Sequence, residues 1–179
     1  LQKFDILSRK AVRVIFYKGN NKLHAIREQI GSKGYAIGFE GLVNYINERL
    51  PMNEEIGKVL RKDNPIYPEI AIREFVANAL IHQDFYMGGT SPVIEVYANR
   101  MEISNPGKPL IDTLRFIDHT PISRNEQLAS IMRRMNFCEE RGSGVDRALY
   151  QCELYQLPAP DFTTDDFSTK VTMFAPLTL

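Results

Sequence analysis

The chain has 179 residues, 44% of them apolar and 25% charged, the mix of an ordinary globular domain long enough to bury a core without staples. Its 22 Lys and Arg balance its 22 Asp and Glu, so the formal net charge is zero. That balance argues against a dedicated nucleic-acid arm or a binder of anionic membranes, both of which need a basic excess.

Residues 1–10 show no period and read as a linker or the tail of an upstream domain, which leaves 11–179 as the folded unit. The run 11–17 (AVRVIFY) is rich in β-branched and aromatic side chains and ends in the turn residues Gly19-Asn20-Asn21, the signature of a strand. A second short extended run follows over 25–29, and Gly31, Gly34 and Gly38 punctuate a turn. Phe39 to Leu50 reads as a helix, with Leu42, Val43, Ile46 and Leu50 at helical spacing and Pro51 stopping it. A short helix is expected over Glu54 to Arg61. Pro68 opens the best helix of the chain, Glu69 to about Gln83, since proline suits a first helical turn. Residues 92–97 and 101–104 read as a hairpin bending at Ala98-Asn99-Arg100, followed by a turn at Asn105-Pro106-Gly107. Residues 107–123 read as loop, with a short helix around Ile111–Ile117. Ser123 and Glu126 have the spacing of a capping box, and the helix behind them carries Leu128, Ile131, Met132 and Met135 on one face. Gly142-Ser143-Gly144 leads into a last helix with Val145, Ala148, Leu149 and Cys152 on one face, and 167–174 (FSTKVTMF) makes a final strand. Strands at both ends and in the middle, with helices between, predict an α+β two-layer sandwich: a mixed β-sheet with helices packed on one face.

Cys138 and Cys152 are too few for a disulfide scaffold and too isolated for a zinc ribbon, so they read as free core thiols. No apolar run approaches the roughly 18 residues of a membrane span, and no signal peptide is evident. The expected location is cytoplasmic, with no membrane partner. The opening at Leu1 reads as a cut from a longer protein.

Two features could carry chemistry. The helix after Pro68 is apolar nearly all round, yet Glu74, Asn78 and His82 fall at i, i+4 and i+8, within an arc of roughly 80°. A polar stripe on a buried helix needs partners. Those partners are either a neighbouring loop or water, or a ligand. The second feature is a pair of glycine turns: Asn105-Pro106-Gly107 ends a strand, and Gly142-Ser143-Gly144 opens the last helix, where backbone N–H groups and a positive dipole end suit a phosphate. No G-x-x-x-x-G-K-[ST] phosphate loop occurs in the chain, so it carries no helicase motor of that type.

The order of the motifs is more specific than any one of them. Tyr67-Pro68, Ile72-Arg73-Glu74, Asn78-Ala79-Leu80-Ile81-His82-Gln83-Asp84-Phe85, Glu102-Ile103-Ser104-Asn105-Pro106-Gly107, Ser123-Arg124-Asn125, Glu140-Arg141-Gly142-Ser143-Gly144-Val145 and Leu157-Pro158-Ala159-Pro160 follow one another. Over roughly residues 10–175 this resembles the C-terminal ATPase-like domain of RecG-related proteins and transcriptional regulators, with the Bergerat (gyrase/histidine-kinase/MutL-type) ATP-binding fold. The resemblance implies ATP and Mg²⁺ as cofactors. Asn78 would be the metal ligand and Glu74 the catalytic residue that orients and deprotonates a water. His82, Asn105, Gly107, Arg124, Gly142, Ser143 and Gly144 would complete the nucleotide site, under a lid formed by 108–141. Asn105 stands where the broader fold has an aspartate, and Pro106 removes a backbone donor beside it. The resemblance further implies a regulatory module of a bacterial protein, partnered by nucleotide, by an upstream domain of the same chain, by DNA only through that domain, and by a second copy in a homodimer. Hydrolysis would be a slow, Mg-dependent step beyond binding. The alternative is a non-catalytic interaction or dimerisation domain with a degenerate nucleotide site.

Overall fold

A computed structural model describes residues 9–51, 65–112, 122–138 and 143–176. Six strands form one mixed sheet: β1 (Arg13–Tyr17), β2 (Ala25–Ile30), β3 (Val93–Val96), β4 (Arg100–Pro106), β5 (Asp161–Thr164) and β6 (Ser168–Phe174). Their spatial order is β2-β1-β3-β4-β6-β5. β1 and β3 pair in parallel, and the other neighbours are antiparallel. The described helices are α1 (Tyr35–Asn47), α2 (Glu69–His82), α3 (Glu126–Arg134) and α4 (Gly144–Leu154). None of them is long and apolar enough to cross a membrane.

The fold class is the expected one, and the strand alternation explains it. Val14 and Phe16, Ile94 and Val96, Met101 and Ile103, and Val171 and Met173 point to one side and form a single core with the helices. The residues between them face the other side, where charge is paired rather than avoided. Tyr17 donates to Glu95 at 3.0 Å and Lys22 to the same carboxylate at 2.8 Å. Arg100 and Lys170 reach Glu102 at 2.6 and 3.3 Å. Both glutamates are buried, a position a carboxylate tolerates only when so partnered.

α2 is the central helix, packed on α4, β4, α1 and α3. Eight of its residues are buried, from Ala71 to Ile81. Packing on several sides accounts for the near-continuous apolar sequence, because a helix covered all round has no wet face to fill with polar residues.

Several expected boundaries moved. α1 runs Tyr35–Asn47, starting four residues before the expected Phe39 and ending three before the expected Leu50, with the Tyr35 hydroxyl at its start donating to the Lys10 carbonyl. β4 runs through Asn105-Pro106, which the sequence reading made a turn. β6 lies alongside them, pairing Asn105 with Thr169 and Pro106 with Ser168, and Gly107 at φ +102° makes the turn instead. β5 was not foreseen: a four-residue strand, mostly exposed, has too short a pattern to read. The Ser123–Glu126 capping box is not formed, for α3 begins after Asn125 with no side-chain cap. Its buried face is Ala129 and Met132, while Ile131 and Met135 are exposed. Lys10, assigned to the linker, is buried; its ammonium donates to the carbonyls of Asp84, Met87 and Thr90. The expected helix at 54–61 lies outside the described residues, as does that at 111–117 beyond Asp112.

Candidate functional site

On the helix side of the sheet a cleft of about 190 Å³ opens between α2, α3 and the N-terminus of α4. The strand register builds its floor. Ile103, Val171 and Phe162 lie abreast on β4, β6 and β5, and Asn105 lies beside Thr169 at one end. Pro109, Leu110, Ile111 and Ile122 close one flank, so both described ends of the 108–141 segment wall the cleft.

Glu74, Asn78 and His82 all line it. From Ala71 to His82 these three and Arg73 are the residues left short of full burial, so the stripe is the edge of α2 that the core does not cover. Arg73 points elsewhere and forms a bidentate pair with Glu40 at 2.6 and 2.7 Å. Burial, followed by the nearby Arg124 charge, lowers the His82 pKa from its ordinary value, and Glu126 opposes this. The imidazole is therefore neutral at pH 7 and can act as donor or acceptor.

Glu74 and Gly144 are in close contact. A Cβ built on Gly144 would fall 1.8 Å from Glu74 Oε1 and 2.2 Å from its Cδ. Glycine at 144 lets the positive end of α4 approach the flexible end of the Glu74 side chain. Ser143 is the exposed N-cap residue of α4, makes no capping hydrogen bond with its side chain and does not line the cleft. Gly142 lies outside the described residues.

At the other end, Asn105 is buried and its Nδ2 donates to the Pro106 carbonyl at 3.1 Å, which leaves its Oδ1 as the acceptor end of the amide. Gly107 does not line the cleft. Its Cα packs on Asp84, where a Cβ would meet Asp84 Cβ at 2.8 Å. Its N–H donates to Phe167 at 2.7 Å, and its carbonyl accepts from Thr169 Oγ1 at 2.8 Å. Arg124 is likewise not a lining residue. It donates to the Lys108 carbonyl at 2.6 Å and pairs with Asp84 at 3.5 Å. Next to it, Asn125 Nδ2 donates to the carbonyls of Ile81 and Gln83 at 2.7 and 2.8 Å, satisfying the last turn of α2. Arg124 and Asn125 thus fasten the start of α3 to the end of α2.

Residues 89–173 match the protein-family model described as "Putative ATP-dependent DNA helicase recG C-terminal". They are similar to a RecG-related, ATPase-like domain over β3, β4, α3, α4, β5 and most of β6. α2, with its polar stripe, lies before the matched residues. No curated protein matches the chain. Among solved structures, the chain is similar to the DIP2311 protein from Corynebacterium diphtheriae, with a TM-score of 0.83 and 19% identity over 95% of this chain and 35% of that one. The likeness is one of fold, and the chain spans about a third of the length of that protein.

Sequence reasoning missed Thr169, Arg133, Glu126 and Cys138, all of which line the cleft. Thr169 was recoverable: it is the polar member of the inward series 169, 171, 173 on β6. Arg133 falls in a mixed-charge stretch with Arg134, Glu139 and Glu140, where nothing in the sequence distinguishes a wall residue from a solvated one. Both cysteines are free; Cys138 is half-buried, packed against the core and on the cleft wall, whereas Cys152 is buried and its thiol is pushed up to about 11.

Proposed function

We propose that this cleft binds ATP in a Bergerat-type arrangement and that the domain is a regulatory module of a longer protein, in which an upstream domain meets DNA as a bacterial, cytoplasmic regulator. The observation that carries the reading is the convergence of Glu74, Asn78 and His82 from α2 with Asn105 from β4 and the N-terminus of α4 on one largely apolar cleft. A base needs apolar walls and a few fixed polar groups. Asn105 Oδ1 suits the exocyclic amine of adenine, more weakly than the charged acceptor of the broader fold. The family match over residues 89–173 supports the same reading.

The donor set fits Mg²⁺ carried in with phosphate rather than a resident metal. Among the described residues, no group of three His, Cys, Asp or Glu could hold an ion by itself. Mg²⁺ retains waters and takes one or two protein oxygens beside phosphate, and Asn78 Oδ1 would be that oxygen. When bound, the ion would neutralise phosphate charge. Glu74 would hold a water and accept its proton. Its carboxylate lies on the cleft wall beside the N-terminus of α4.

The test is calorimetry with ATP and ADP, with and without Mg²⁺, repeated with Asn78→Ala. Micromolar-to-millimolar binding that this substitution abolishes without unfolding supports the reading. Flat titrations would leave the second one, an interaction or dimerisation domain with a degenerate site. The exposed edge strand β2, with Ile26 and Ile30 open to solvent, favours that alternative. Phosphate release above background that Glu74→Ala removes would make the chain an ATPase.

A further inference from the structure

The position of α3 along α2 bears on which cation meets the phosphates. Asn125, at the start of α3, is bonded to the carbonyls of Ile81 and Gln83 at the C-terminal end of α2. Beyond its far end, the ring of Phe137 stacks 4.7 Å from the ring of Phe39, and the guanidinium of Arg73, near the start of α2, lies 5.5 Å from the Phe39 ring. α3 therefore runs back along α2, and nine residues of either helix span about 13 Å. His82, Asn105 and Thr169 share the end where α3 starts. Glu74, Asn78 and Gly144 belong to the end where it finishes. Arg133 leaves α3 near that second end and lines the cleft, its guanidinium reaching back along the helix towards Glu126.

Arg124, by contrast, is committed. It holds the Lys108 carbonyl and Asp84 and does not reach the cleft wall. The carboxylate paired with Arg133 is Glu126, at 3.7 Å and largely in solvent. A pair that long, with its carboxylate in solvent, is weak. A phosphate offers the planar guanidinium a bidentate, charge-assisted partner in its place.

We infer that Arg133, and not Arg124, is the α3 cation that holds the phosphate tail of a nucleotide in the cleft, an inference that rests on the nucleotide reading above. It turns the cleft from a base-binding slot into one that selects phosphorylated ligands. Arg124 is a strut.

The experiment titrates the full 179-residue chain with ATP, ADP and adenosine by calorimetry. The wild type is expected to bind ATP and ADP more tightly than adenosine. Arg133→Ala should weaken ATP and ADP about 10- to 100-fold, the loss of a charged hydrogen-bonding partner, and leave adenosine within about twofold. Arg133→Lys should recover part of the difference, as a point charge without the fork. Arg124→Ala should lower the melting temperature and leave the ratio of ATP to adenosine affinity in place. An Arg133→Ala variant that weakens all three ligands alike, or none, overturns the inference while the cleft reading survives. So does a wild type that binds adenosine as tightly as ATP. Selective loss of ATP in Arg124→Ala would transfer the role to Arg124. A wild type that binds none of the three sinks the nucleotide reading itself, and the inference with it.

Discussion

Gly144→Ala tests the contact on which the candidate site turns. By helix propensity alone the change should help: residue 144 opens α4, its φ is not positive, and alanine is favoured over glycine in a helix by up to about 1 kcal/mol. The tertiary structure reverses the sign. The new methyl would lie 1.8 Å from Glu74 Oε1, 2.2 Å from its Cδ and 2.8 Å from its Oε2. Overpacking of this kind costs about 1–3 kcal/mol. The clash is with the end of a flexible side chain, which can swing away by giving up the positive end of α4, an interaction worth about 0.3–2 kcal/mol. Taking about 2 kcal/mol for the conflict and up to about 1 kcal/mol for the propensity gain, the variant should lose about 1 kcal/mol, or about 2–4 °C in melting temperature for a chain of this size. In a Glu74→Ala background the conflict disappears and only the propensity gain remains, so the same substitution should be neutral or stabilising. Urea unfolding of the wild type, both single variants and the double variant closes the cycle, with an expected coupling of about 1–2 kcal/mol. Equal destabilisation by Gly144→Ala in both backgrounds would refute the contact.

Asn125→Ala removes two bonds to the last turn of α2 and should cost about 1–2 kcal/mol, with faster amide exchange at the start of α3; unchanged exchange there would contradict the anchoring role. His82 has a pKa lowered by burial, so below its unfolded value of about 6.5 the unfolded chain binds the proton more readily. Its share of stability is present above about pH 6.5 and is lost as pH falls through the lower folded value; NMR should place the imidazole titration below 6.5, and His82→Gln should flatten the slope of unfolding free energy in that window. Thr169→Val deletes the hydroxyl that donates to the Gly107 carbonyl at 2.8 Å and should cost about 1 kcal/mol in urea unfolding, with no loss expected if that turn is held by Gly107 and Phe167 alone.

The sequence by itself determined the layer arrangement and the one helix that bears the candidate site. Alternation along 12–17, 93–104 and 168–174 needs only a period of two, and the stripe of Glu74, Asn78 and His82 needs only a helix of 3.6 residues per turn. Both are local properties of the chain, so they survive in one dimension. The order of motifs likewise pointed to the RecG-type resemblance that the family match over residues 89–173 supports. Which side chains share a space is settled by the packing of distant segments. Gly107 and Arg124 sit next to cleft residues in sequence and yet turn to Asp84, whereas Arg133 and Thr169, far from α2 in the chain, complete its wall. Asn125 gives its amide to another helix instead of capping its own. These are choices between competing partners of similar strength, and the winner is set by how α3 lies along α2, a relation no stretch of sequence contains.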